Sequence, residues 1–134
     1  MNEISVIDFV QRLYKTEDLR SLYERGLIDA EDVHQPDKAL TRGDAARLSH
    51  LYLLREKNIQ DLKNITEAEA LRDLYDCRVC ANHIAQVFLR GIMFGTEIPG
   101  IIEGTGKGFL LFDTRKKIDP EEAENIIERL NDIK

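Results

Sequence analysis

Apolar residues recur at helical spacing through most of this chain. Ile4, Ile7, Phe9, Val10 and Leu13 fall on one face of a 3.6-residue repeat, and Ser5 with Asp8 three residues later is a helix-start signal, so a first helix is expected over roughly residues 5–14. Thr16 is placed to cap a second helix, with Glu17 and Asp18 against the positive end of its dipole, Leu19, Leu22 and Tyr23 on its buried face and Gly26 ending it. Residues 27–40, with Pro36 inside them, read as a loop. Thr41 and Asp44 then form a pair resembling a capping box, and Ala45, Leu48, Leu51, Tyr52 and Leu54 carry a third helix to about Lys57. A capping box at Thr66 and Glu69 opens the longest expected helix. Leu71, Leu74, Tyr75, Val79, Ile84, Val87 and Phe88 keep its register as far as Gly91, with a break near Asp76. Asp119 as N-cap, Pro120 at the first helical position and Glu121 and Glu122 behind it start the last helix, whose inner face is Ala123, Ile126, Ile127 and Leu130.

The period changes once. Between Ile98 and Asp113 two apolar runs, Ile101–Ile102 and Phe109–Phe112, flank Gly104, Gly106 and Gly108, the signature of a β-hairpin. A two-stranded hairpin cannot bury two apolar faces by itself. Ile101, Ile102, Phe109 and Leu111 are therefore expected at an interface, with a protein partner or, most simply, in a homodimer.

Two stretches follow one plan. DLRSLYERGLI leads through a loop to LTRGDAARLSHLY, and HIAQVFLRGIM leads through a longer loop to KIDPEEAENIIERL. Leu19 and Leu22 precede Gly26 at the spacings at which Ile84 and Val87 precede Gly91, so the same helical face is buried in each. The expected fold is mainly α, one domain over 1–134, built from two related helix–loop–helix units (about 5–57 and 66–132) with one hairpin (about 98–113) inserted in the second. Leu40-Thr41-Arg42-Gly43-Asp44 and the turn Gly26-Leu27-Ile28 resemble the signatures of S-layer homology repeats, fairly well over residues 14–55 and loosely over 79–131. Tyr14 and Val79 stand where that family usually has Trp, and Asp119-Pro120 replaces its Thr-Arg pair. The resemblance implies a binding module for an acidic cell-wall glycan, with Arg42 as the anion contact; the competing reading leaves Arg42 solvated on the first turn of a helix that Thr41 caps.

Charge narrows the partners. With 25 acidic and 19 basic residues the net charge is −6, which disfavours nucleic acid and anionic membrane surfaces. No apolar run is long enough for a signal-peptide core or a membrane span, so a cytoplasmic location is expected. Cys77, Cys80 and His83 form the most ligand-like cluster, which His50 or His34 would have to complete as a metal site. The missing second half-site argues for no metal, and a reducing compartment argues against a structural disulfide. Gly104-Thr105-Gly106-Lys107-Gly108 fails the spacing of a phosphate loop. No catalytic residues and no cofactor are assigned. The leading expectation is a non-catalytic binding or assembly module; the alternative is a small cytoplasmic enzyme or a metal-dependent regulator.

Overall fold

The computed structural model describes residues 3–98 and 109–133. The fold is mainly α with one antiparallel hairpin: helices α1 (Val6–Tyr14), α2 (Leu19–Glu24), α3 (Ala30–His34), α4 (Arg42–Leu51), α5 (Arg78–Leu89) and α6 (Pro120–Asp132), and strands β1 (Thr96–Ile98) and β2 (Phe109–Leu111). No helix among the described residues is long and apolar enough to cross a membrane.

Local chemistry sets most helix boundaries. Ser5 caps α1 through the Asp8 amide, Thr41 caps α4 in a reciprocal box with Asp44, and Asp119 caps α6 ahead of Pro120. At α2 the cap is Asp18, which accepts from the Ser21 amide; Thr16 instead accepts from the Asp18 amide one turn earlier. Residues 27–40 are not all loop, because Asp29 and Asp32 form a capping box around the five-residue α3. After α4 the chain makes one π-helical turn over Tyr52–Glu56. Of the long helix expected from Thr66 to Gly91, the part after the break near Asp76 is α5, whereas the part before it is two 3₁₀ turns, Thr66–Ala70 and Leu74–Asp76, and Thr66 makes no capping hydrogen bond. Here Ala68, Leu71 and Leu74 are buried at three-residue spacing, which suits 3₁₀ turns better than a continuous α-helix. Tyr23, Tyr75 and Val79 point outward, Val79 being 84% exposed. Val79 therefore does not repeat the role of Tyr14, whose ring packs against Tyr52 at 5.4 Å.

Helices α2 and α5 end alike. Gly26 and Gly91 have φ of 75° and 73°, and the following residues Leu27 and Ile92 each donate back to the carbonyl five residues earlier, on Leu22 and Val87, at 2.9 Å. The next side chains, Leu27–Ile28 and Ile92–Met93, drop into the core.

The residues just before the caps of α1, α4 and α6 meet at the centre of the fold. Ile4, Leu40 and Ile118 are all buried, and their backbones close a ring: Leu40 N–H donates to Ile4 C=O (2.8 Å), Ile118 N–H to Leu40 C=O (2.9 Å) and Ile4 N–H to Ile118 C=O (3.3 Å). Further out the contacts repeat with the same offsets. Val6 and Ile7, opening α1, donate to Lys38 and Pro36, while Arg42 and Gly43, opening α4, donate to Lys116 and Thr114 (2.8–2.9 Å). Each loop thus satisfies the free N–H groups at the start of the preceding capped helix. At α6 the corresponding first position is Pro120, which has no N–H to satisfy. Gly43 is required by this closeness, since a Cβ there would lie 2.5 Å from Thr114 Cγ2.

Arg42 is 6% exposed, not solvated as a first-turn arginine would be. Its guanidinium lies 4.6 Å from the Phe112 ring centroid, donates to Phe112 C=O (2.7 Å) and Phe94 C=O, and pairs with Glu122 of α6. Removing it leaves two carbonyls and a carboxylate without their donor. Arg42→Met should therefore lower unfolding free energy by about 3 kcal/mol, whereas Glu122→Gln, at a half-exposed carboxylate that water can reach, should cost about 1 kcal/mol. Urea denaturation of the two variants measures this, and equal, small losses would mean that the guanidinium is not the clamp.

Candidate functional site

Helices α4 and α5 pack together, and their polar residues converge at one end of the contact. His50 of α4 is 4% exposed, and its Nδ1 lies 2.8 Å from Nδ1 of His83 on α5. Its other nitrogen, Nε2, lies 2.6 Å from Asp61 Oδ1 in the irregular segment that joins the helices. Asn82 donates to Asp61 Oδ2 at 3.0 Å. That segment is fastened to α5: the buried Gln86 side chain accepts from the Leu62 amide and donates to the Leu62 carbonyl, and Arg90 donates to the Gln60 carbonyl.

Proton positions follow from these roles. Burial opposes charge on Asp61, but hydrogen bonds from His50 and Asn82 outweigh it and hold the carboxyl below its ordinary value. A carboxylate only accepts, so His50 Nε2 carries a proton. His50 Nδ1 and His83 Nδ1 share one proton between them. Burial first, then the nearby His50 and Arg47, push the His83 pKa down from 6.5 to about 4, so the ring is neutral at pH 7.

His83 looks into a groove of about 440 Å³ that Asp44, Arg47, Cys80, Thr114 and Arg115 also line. Arg47 is fixed by two 2.9 Å bonds to the buried carboxylate of Asp32. Across Thr114 and Arg115 lies a second groove, about 490 Å³, bordered by Cys77, Asp73, Asp76 and Asp113. Between the grooves Cys77 and Cys80 are joined in a disulfide, contrary to expectation. Cys77 is the N-cap of α5 and Cys80 its third residue, and their Cα atoms are 5.2 Å apart, within the reach of a bridge. With the thiols so joined, the described residues contain no group of three His, Cys, Asp or Glu side chains placed to hold a metal ion. His34 is exposed on α3, apart from His50 and His83 in these hydrogen bonds.

The other residues singled out by sequence lie elsewhere. Arg42 meets an internal anion, Glu122. Phe109 and Leu111 are half-buried in β2, and Ile101 and Ile102 lie outside the described residues. Sequence reasoning found Cys77, Cys80 and His83 as a cluster but missed Asp61, Asn82 and Gln86, whose convergence depends on an irregular segment with no periodicity to read. Comparison with known protein families, characterised proteins and solved structures finds no match for this chain.

The neutral His83 makes stability depend on pH. An imidazole whose folded pKa is about 4 stabilises fully above its unfolded value of 6.5 and loses that contribution as pH falls toward 4, because the unfolded chain takes up the proton first. For this half-exposed ring the loss should be about 1–2 kcal/mol after solvent screening. Urea midpoints at pH 7 and 4.5 should show a larger fall for the native protein than for His83→Gln; equal falls would contradict the neutral ring.

Proposed function

We propose that this chain is a non-catalytic binding and assembly module of related helix–loop–helix units, which presents a strand edge to a protein partner, most simply a second copy of itself. The observation that carries this reading is the pairing at the hairpin. β2 is covered on both sides: β1 pairs with it in the register Thr96–Leu111, Glu97–Leu110 and Ile98–Phe109, and Leu71 bridges its other edge while Arg72 N–H donates to Leu110 C=O. Since the Leu110 carbonyl is directed at Arg72, Glu97 sits opposite it at a non-hydrogen-bonded position, and the Glu97 N–H and C=O face outward. No strand among the described residues covers that side. Exposed Phe94 lies just before it, so polar backbone and apolar side chain are offered together.

A protein partner fits better than an acidic glycan. The glycan reading, implied by the likeness to S-layer homology repeats, rests on Arg42, and that guanidinium is already paired with Glu122. A cytoplasmic place belongs to the same proposal. Enzymatic action is the weaker alternative, because the Asp61–His50–His83 chain ends on a base with no Ser or free thiol bonded to it.

Light scattering on the eluting protein at high micromolar concentration should give a dimer mass. Glu97→Pro removes one outward donor while leaving the β1–β2 bonds, and should return the protein to monomer with helical circular dichroism unchanged. A native protein that stays monomeric, or a proline variant that dimerises as well as the native one, would overturn the reading.

A further inference from the structure

The disulfide at the start of α5 has features of a reactive bond more than of a structural one. A bridge stabilises a fold chiefly by closing a long loop in the unfolded chain. Cys77 and Cys80 are three apart and lie in one helical turn, where Cys80 N–H already donates to Cys77 C=O, so the bridge restricts little that the helix does not. Both cysteines are half-exposed, and each opens on a different groove. Cys77 stands at the N-cap of a 12-residue helix, where the dipole favours a thiolate. Cys80 and His83, three apart on α5, share a helix face and line the same groove.

We propose that Cys77 and Cys80 form a thiol–disulfide exchange site whose co-reactant is an external thiol. The first thiol, having given its proton to water, attacks Cys77 Sγ as a thiolate. The Cys77–Cys80 bond breaks, its electron pair goes to Cys80 Sγ, and that sulfur takes up a proton from water, which balances the one the first thiol lost. A second thiol attacks the sulfur of the external group in the mixed disulfide, so that the external disulfide departs and Cys77 leaves as a thiolate that takes up the second thiol's proton. The protein disulfide is reduced by two electrons to two thiols, and two external thiols are oxidised to one disulfide. The reverse sequence oxidises the protein pair.

The test is to incubate the folded protein with graded mixtures of reduced and oxidised dithiothreitol, quench with an alkylating reagent and weigh the products. Both cysteines should become alkylated together at reducing ratios while the helical circular dichroism stays native. In Cys80→Ser, Cys77 should be captured as a stable mixed disulfide by an aromatic disulfide reagent. The proposal is overturned if the bond is reduced only when the protein unfolds, or if Cys77 of the Cys80→Ser variant resists the reagent. It is also overturned if the reduced protein holds one zinc ion per chain that blocks alkylation.

Discussion

Three buried residues must satisfy their backbone polar groups where no water reaches, and the fold is organised around the way they do it. Ile4, Leu40 and Ile118 come from segments far apart in sequence, yet each donates to one of the others and accepts from the third. A buried N–H or C=O left unpaired costs about 1–3 kcal/mol, so the ring holds three chain segments in one relative register. Each segment turns at once into a capped helix. Ser5, Thr41 and Asp119 follow the ring residues directly, and Phe9, Ala45 and Ala123, four residues after the caps, are all fully buried. Fixing the ring therefore fixes where α1, α4 and α6 start and which faces they turn inward.

Arg42 adds a polar tie to this arrangement. One guanidinium joins the start of α4 to the end of β2, to the turn that follows α5 and to the first turn of α6. A hydrophobic residue of similar volume could fill the space, but it would not specify which carbonyls and which carboxylate must come together. The same economy appears at the α4–α5 contact, where buried Gln86 holds the irregular segment so that Asp61 can orient His50 and, through it, His83. Both clusters use charged or amide side chains to position backbone that has no regular structure of its own.

Much of this was legible in the sequence where a local rule decides it. The Thr41–Asp44 box, the Asp119–Pro120 start and the two glycine-ended helices rest on contacts within one turn, and the structure has them as expected. What failed depends on distant neighbours. Thr66–Glu69 has the spacing of a capping box but makes 3₁₀ turns, because Ala68, Leu71 and Leu74 are drawn into the core and Leu71 pairs with β2. Asp29 and Asp32 were hidden in a segment short enough to pass for loop. The sequence comparison matched α4 with α6 but not α1 with either, since what α1 shares with them is a cap and a place in the ring, neither of which leaves a long motif. In the site, His83 was visible beside the cysteines and His50 was named as a possible partner; Asp61 was not, because its contact with His50 depends on where an irregular segment is placed.

Native-state hydrogen exchange of the Leu40 and Ile118 amides tests the organising role of the ring most directly. Both amides should exchange only through global opening, with the same free energy and denaturant dependence as the most protected amides inside α4 and α6. Exchange of Leu40 or Ile118 through a local opening well below the global unfolding free energy, while α4 and α6 remain protected, would contradict the account.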